Sequence, residues 1–381
     1  MRMLVLGAGL QGSACAYDLL QNPDVKQVRL ADLHFDHLPP FLRPLSGERL
    51  IPTTLDVRNR DAVLATMRES DAVMSAIPYY FNLQLAQCAV EAGVHFCDLG
   101  GNTDIVFKQK ALASEAAAKG ITIVPDCGVA PGMVNILAQH GIEQLDTVSS
   151  VRIYVGGLPQ HPEPPLNYQI VYSLEGVLDY YTTHSWVVRD GKRQQVTALS
   201  ERETVEFPAP VGALEAFHTA GGLSTMAFRY EGKIPTMEYK TLRYPGHAQV
   251  MEAIRDLGLL DLDGVEVKGC TVVPRDLFVR VVGPKLTKPH SKDVLALRVI
   301  VSGTKAGAPA TRRFDLIDRY DEKHGISAMM RTTGYSLSIT AQMQVRGLVR
   351  PPGVWTPDEC MPSADYIAEL RARGMDLRES A

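Results

Sequence analysis

Gly7-Ala8-Gly9-Leu10-Gln11-Gly12 constrains this chain more than any other stretch. It is G-x-G-x-x-G, placed directly after the apolar run Met3–Leu6 and at the head of a helix pattern over Leu10–Leu20. In that setting the first glycine permits a tight turn, the second lets backbone approach a pyrophosphate, and the third lets the helix pack on the strand. The helix start supplies free N–H groups and the positive end of a dipole for the phosphates. Asp32 closes a second strand-like run, Val28–Ala31, 20 residues beyond Gly12. An acid there hydrogen-bonds the ribose 2′-hydroxyl of a dinucleotide and repels a 2′-phosphate. Leu33 follows, with no arginine at the start of the loop, so the pattern predicts NAD rather than NADP. Gly7, Gly9, Leu10, Gln11, Gly12 and Asp32 are the expected cofactor contacts.

The strand–helix rhythm continues. Strand patterns at Arg49–Leu55, Ala72–Ile77, Val94–Cys97 and Ile121–Val124 alternate with helix patterns at Arg60–Arg68, Asn82–Ala92 and Phe107–Lys119. Such alternation predicts parallel βαβ units. Asp56, after the third strand, is placed near the adenine. Ala76, Ile77 and Pro78 end the fourth strand where a dinucleotide crosses the sheet. Ordinary turn chemistry explains these four residues equally well.

Near Asp146 the pattern changes. Val151, Ile153 and Val155 alternate as in a half-buried strand, residues 156–167 are proline-rich and read as a loop, and Tyr172–Tyr181 reads as a helix. Asp190-Gly191 marks a hairpin. Val294–Val301 and Arg312–Tyr320 read as long strands. The expected fold class is α/β: a Rossmann doubly wound parallel sheet plus an α+β substrate and dimerisation domain. The expected division is 1–130 for the NAD-binding domain and 131–330 for the second, with helices in 331–381 packing back on the first. A length of 381 residues fits about two domains.

Charge and composition exclude several classes. Lys plus Arg (39) against Asp plus Glu (43) gives −4, which lacks the basic footprint of a nucleic-acid binder. No apolar run approaches the ~20 residues of a membrane span. Six scattered cysteines without a C-x-x-C pair point to free thiols in a reducing cytosol. The first strand begins almost at Met1, leaving no room for a signal peptide. A cytoplasmic location is therefore expected. The 10 histidines show no metal-ligand spacing, so no metal is expected; His34 and His37 fall in an irregular, solvated loop.

Ligands of open α/β sheets bind outside the carboxyl ends of strands. Asp98-Leu99-Gly100-Gly101 lies at one such end, with glycines that admit close approach; a helix-capping aspartate is the alternative. Pro125-Asp126-Cys127-Gly128 lies at another, where Asp126 and Gly128 are placed against the nicotinamide end or substrate. Cys127 has no histidine nearby in sequence and reads as a small buried residue. Further on, Glu215 and His218 stand in one polar cluster, and Thr241 and Arg243 in another. Arg243 before a Pro-Gly turn suits bidentate carboxylate recognition, or equally a surface ion pair. His218 is a general base or a satisfied structural histidine.

Several segments carry a family resemblance over nearly the whole chain. They are Val5–Leu10, Asp98–Gly101, Val124–Asp126 running into Gly128–Met133, Glu163–Leu166, Tyr172–Gly176, Leu214–Thr219 and Thr241–Tyr244. Together they resemble the saccharopine dehydrogenase-like family of amino-acid oxidoreductases, and within it the lysine 6-dehydrogenase branch. Saccharopine reductases tend to carry aspartate in Gly-Leu-Asp-Pro-Gly, where this chain has Ala130. The resemblance implies NAD-dependent oxidation of L-lysine at its ε-carbon, followed by hydrolysis to 2-aminoadipate 6-semialdehyde and ammonia. It also implies a homodimer or higher homo-oligomer. The roles expected on that basis are Arg243 on the α-carboxylate with Thr241, Asp98 on the amine, and His218 or Glu215 assisting water attack. Tyr168 and Glu175 are further pocket candidates. A saccharopine or polyamine-type reductase is an alternative, and so is a non-catalytic NAD-binding redox sensor on the same fold.

Overall fold

A computed structural model describes residues 1–35, 38–288 and 291–381; His37 lies outside them. The chain forms two units: Met1–Glu143 with Ser224–Met226 and Asp321–Leu377, and Gln144–Leu223 with Ala227–Tyr320 and Arg378–Ala381.

The first unit is built on a seven-stranded parallel sheet. Its order is Gly353–Val354, Thr122–Val124, His95–Asp98, Ala72–Ser75, Arg2–Leu6, Gln27–Asp32, Leu50–Thr54. The order reverses direction beside Arg2–Leu6, which is where doubly wound sheets open a crevice. Burial on both faces explains why Met3–Leu6 and Ala72–Ser75 are continuous apolar or small runs rather than alternating ones. The alanine-rich stretch expected as one helix is two, Thr103–Lys110 and Ala113–Ala118. Asn102 caps the first of these by accepting from Ile105 N.

The C-terminal segment completes this unit. The sequence pattern alone predicts an amphipathic helix over Ser336–Val345; the helix observed is Ala328–Val345, beginning eight residues earlier. Ser327 caps it, its Oγ accepting from Met330 N at 3.1 Å. Thr332, Thr333 and Gly334 lie inside this helix although β-branched residues and glycine are poor helix formers. Gly334 permits close packing: a Cβ there would stand 2.6 Å from Gln11 O and 2.8 Å from Ala14 Cβ. The helix is polar yet buried. Gln344 Nε2 donates to Phe96 O and Thr122 O, and Ser338 Oγ donates to Asp18 Oδ2. Arg373 binds both oxygens of the same Asp18.

The second unit holds a nine-stranded mixed sheet. Its main path runs Glu203–Glu206, Ala213–His218, Thr236–Arg243, Thr147–Pro159, Asp293–Lys305, Ala308–Arg319, Arg378–Ser380, and the hairpin Ser185–Arg189/Lys192–Val196 branches from Thr236–Arg243. Residues 156–159, expected as loop, extend the strand Thr147–Pro159 and pair with 293–296. Gly156 is required there, since a Cβ would stand 2.4 Å from Leu242 O. Helices Leu174–Thr182, His247–Asp256 and Pro274–Leu286 contribute to a core of Tyr168, Leu178, Tyr181, Phe217 and Met251. No helix among the described residues is long and apolar enough to cross a membrane.

Candidate functional site

In the first unit the glycine turn has the geometry that dinucleotide binding requires. Gly7 has φ of 99°, and a Cβ on it would stand 2.7 Å from Ala76 O and 2.9 Å from Ile77 Cγ2. Ala76 and Ile77 therefore do border the turn. A Cβ on Gly12 would stand 1.9 Å from Gly7 O, whereas Gly9 faces open space. Leu10 is 53% exposed. Gln11 has both amide atoms buried without a hydrogen-bond partner, which marks a polar group awaiting a ligand. Asp32 accepts from Ala8 N at 2.6 Å and Leu33 N at 2.7 Å, so its carboxylate is fixed at the end of its strand beside the turn. These residues fit a dinucleotide: an open face over Gly9, an unpartnered amide and a ribose-side carboxylate. Pro78 is exposed at the start of the turn Tyr79–Phe81. Asp56 is engaged locally, receiving Arg58 N and Nε; that ion pair accounts for its carboxylate without an adenine.

Two buried carboxylates stand at the carboxyl ends of neighbouring strands, which pair through Cys97 and Val124. Asp98 is fully buried. Its Oδ1 accepts from Gly100 N at 2.7 Å and Asp126 N at 3.3 Å, and its Oδ2 from Gln109 Nε2 at 2.7 Å. Burial pushes its pKa up to about 6, against those three donors. Asp126 is 2% exposed and sits in the left-handed region at φ 63°. Its Oδ2 accepts from Ser224 Oγ; its Oδ1 has no donor at hydrogen-bond geometry, while the Gly101 amide acts on the carboxylate as a backbone donor and lowers its pKa. Burial, helped by the charge of Asp98 and opposed by Ser224, pushes Asp126 up to about 7. Gly100 (φ 68°) makes room for this carboxylate rather than for a ligand: a Cβ there would stand 1.7 Å from Asp126 Oδ1. Gly128 is likewise committed, its carbonyl accepting from Met133 N and Ser336 Oγ. Cys127 is buried, with its thiol directed to Val124 O.

In the second unit, strand register decides which candidates meet. Glu215 opposes Arg243, Phe217 opposes Thr241, and His218 opposes Lys240. Side chains alternate along a strand, so Glu215, Phe217, Tyr239, Thr241 and Arg243 share one face. His218, Glu238 and Lys240 share the other. The structure thus brings Thr241 and Arg243 together and places His218 behind them.

On the Arg243 face, the guanidinium is 3% exposed and lies 4.9 Å from the Tyr168 ring centre. One of its nitrogens donates to Leu242 O at 2.9 Å, its Nε has no partner, and among the described residues no carboxylate pairs with it. The Tyr168 hydroxyl is also buried without a partner. His247 Nδ1 faces Leu166 O at 2.9 Å and Nε2 faces Tyr181 Oη at 3.0 Å. A carbonyl cannot donate, so the proton is on Nδ1 and Tyr181 donates to Nε2. Burial, then the charge of Arg243, lowers His247 to about 3 and keeps it neutral. Thr219 and Thr241 hydroxyls pair at 2.7 Å, with Tyr239 Oη 3.4 Å from Thr241. Glu215 accepts from Ala248 N at 2.9 Å, in the first turn of helix His247–Asp256. Glu175 is exposed in the first turn of helix Leu174–Thr182, where an acid complements the dipole; it does not reach the Arg243 cluster.

On the opposite face every charge has a local partner. Arg189 reaches Glu238 at 2.6 Å and Glu201 at 2.9 Å, with His218 Nε2 3.5 Å away. His218 also faces Glu201 at 3.1 Å and Tyr239 O at 3.2 Å. Burial lowers its pKa, against the pull of Glu201. Glu201, His218 and Glu238 bring donor atoms within 4.8 Å of one another, as a metal site would, but the Arg189 guanidinium occupies the cation's place. Lys240 binds Glu203 and the Glu201 carbonyl.

The saccharopine dehydrogenase C-terminal domain family matches residues 128–375, and the saccharopine dehydrogenase NADP binding domain family matches residues 3–124. The chain belongs to the saccharopine dehydrogenase family. A saccharopine dehydrogenase [NADP(+), L-glutamate-forming] of Saccharomyces cerevisiae is 26% identical, the match covering 99% of this chain and 98% of that protein. The mitochondrial alpha-aminoadipic semialdehyde synthase of mouse is 27% identical over 85% of this chain but only 42% of its own length. The solved apo saccharopine dehydrogenase (L-Glu forming) of S. cerevisiae superimposes with a TM-score of 0.81 at 21% identity, over 100% of this chain and 99% of that one; it establishes the shared fold. Family membership makes the chain a dehydrogenase-type oxidoreductase with a nucleotide-binding domain. Within that family frame, Ser224 is the residue that sequence reading missed. It lies in a buried turn just before helix Met226–Arg229, 98 positions from Asp126 in the chain, and its left-handed φ of 50° is not announced by serine as it would be by glycine.

Proposed function

We propose that this chain is an NAD-dependent dehydrogenase of L-lysine, oxidising the ε-carbon and releasing ammonia and 2-aminoadipate 6-semialdehyde. The observation that carries the reading is Arg243, a buried guanidinium with no carboxylate partner among the described residues. A charged group held in a core without its counter-ion is costly unless a ligand supplies one. A planar fork of N–H donors suits a carboxylate, so an amino-acid substrate is the fit. Asp32 supports NAD, because a fixed carboxylate beside the glycine turn repels a 2′-phosphate. Asp32→Gly is expected to narrow the preference for NAD over NADP by about tenfold, one unfavourable charge contact of ~1.4 kcal/mol.

The chemistry assigns work to the chain's own residues. Arg243 binds and orients the α-carboxylate, with Thr241 beside it, and orientation supplies much of the rate. The ε-ammonium, with an ordinary pKa of about 10.4, must lose a proton before oxidation. The dinucleotide, when bound, accepts the hydride. Water attack on the resulting iminium completes the release of ammonia.

The second reading is an L-glutamate-forming saccharopine dehydrogenase, favoured by what the relatives are named for. Ala130 stands against it, since the turn Gly128–Gly132 offers no charged side chain to the larger, multiply charged substrate. Incubation with L-lysine and NAD+ tests the proposal: NADH and ammonia should appear in equal amounts. Turnover with saccharopine alone, yielding glutamate, would replace it with the second reading.

A further inference from the structure

We propose that Asp126 is the carboxylate that takes the substrate's amine proton, and that Ser224 is the residue that positions it. The inference rests on the amine-oxidation reading and deepens it. Asp98 was the expected proton acceptor, but all the donors around it are its own protein's. Gly100 N and Asp126 N hold one oxygen and Gln109 holds the other. Its work is to fix the loop at the end of the next strand, which it does through the Asp126 amide and through its own carbonyl, which accepts from Cys127 N at 2.7 Å.

Asp126 differs in the one respect that matters. Ser224 holds Oδ2, while Oδ1 is buried and makes no hydrogen bond. A buried acceptor without a donor is disfavoured by ~1–3 kcal/mol, and an ammonium or amine N–H is a donor of the right kind. The surroundings are shaped to keep this oxygen where it is. Both Asp126 and Ser224 are held at positive φ, 63° and 50°, and strained backbone of this kind clusters at functional sites. Gly100 leaves the space that Oδ1 occupies. The charged groups acting on Asp126 are Asp98 and Asp358, both negative. Both favour its taking up a proton.

The step balances. The ε-ammonium gives one proton from nitrogen to Asp126 Oδ1. The ε-carbon then gives a hydride to NAD+, leaving the substrate iminium, NADH and neutral Asp126. Charge is conserved, because one carboxylate is neutralised as NAD+ becomes NADH. Ser224, donating to Oδ2, favours the ionised form that must exist before the step.

The test compares Asp126→Asn, Asp98→Asn and Ser224→Ala, using whichever amine the wild-type enzyme oxidises. Asp126→Asn is expected to lower kcat by about 100- to 10,000-fold, with the dissociation constant for NAD unchanged within about twofold. Ser224→Ala is expected to move the pH midpoint of kcat/KM upward and to recover activity at high pH, and Ser224→Thr to restore the wild-type profile. In the ligand-free protein, 13C NMR titration of Asp126 is expected to show the same upward move in Ser224→Ala. Asp126→Asn retaining kcat within about threefold, or Ser224→Ala leaving the titration where it was, would overturn the proposal. If Asp126→Asn does not fold, the Ser224→Ala titration decides alone. Oxidation of saccharopine instead of lysine would fail the substrate reading but leave this test intact.

Discussion

The two faces of the second-unit sheet carry buried basic groups in opposite circumstances. Behind the sheet, Arg189, His218 and Lys240 are matched by Glu201, Glu203 and Glu238 within the chain. In front, Arg243 is matched by aromatic rings, a backbone carbonyl and hydroxyls, with no carboxylate among the described residues. His218 and Lys240 are as buried as Arg243, while the Arg189 side chain is 24% exposed. What separates the two faces is whether the charge balance closes locally. A closed balance marks architecture, and an open one marks a place for a ligand. Asp98 and Asp126 repeat the contrast in the first unit: three donors to one carboxylate, and one donor with an oxygen to spare to the other.

The contrast is sharpened most by removing Arg243. Arg243→Ala should raise the KM for L-lysine by about 10- to 150-fold, the value of a charge-assisted hydrogen bond of ~1.5–3 kcal/mol. NAD affinity, followed by fluorescence titration, should stay within about twofold. The matching substitution behind the sheet, His218→Ala, should leave KM within about twofold. Its effect belongs to stability, with a loss of ~1–3 kcal/mol in urea unfolding because buried partners are left unsatisfied. A large KM effect at His218 with none at Arg243 would invert the assignment.

Acid exposes the Arg243 face in another way. His247 is neutral in the fold, with a pKa lowered from 6.5 to about 3, so between those values the unfolded chain binds a proton that the native one does not. Stability from this group is complete above about pH 6.5 and falls as pH drops toward 3. Between pH 6.5 and 5 the loss is about 2 kcal/mol at ~1.4 kcal/mol per pH unit. His247→Gln should flatten that part of the urea-unfolding profile. The smallest effect is at Thr241→Val, which leaves the Thr219 hydroxyl without its partner. A rise in KM of at most about tenfold is expected there, from ~0.5–1.5 kcal/mol.

The parts of this molecule that are local in sequence are legible there. The turn at Gly7–Gly12, its strand, its helix and Asp32 lie within one βαβ stretch, and each residue type is demanded by its own backbone position. The Arg243 site is half legible. Its residue type and its strand end can be read, but that it is buried without an acid depends on which strands flank it. The opposite parity of His218 and Arg243 needed the pairing of Ala213–His218 with Thr236–Arg243, a register fixed by tertiary packing. Ser336–Val345 is legible as an amphipathic helix, but its first turns from Ala328 are obscured because Thr332, Thr333 and Gly334 are poor helix formers. Ser224 reaches Asp126 from 98 positions away, and nothing in its local sequence announces that contact.

The central claim, that the open charge on Arg243 is completed by the substrate's carboxylate, is tested most directly by a substrate that lacks it. Cadaverine is L-lysine without the carboxylate. We expect the wild-type enzyme to favour L-lysine over cadaverine by about 10- to 150-fold in kcat/KM, and Arg243→Ala to favour neither. A preference of the same size in both enzymes would contradict the claim.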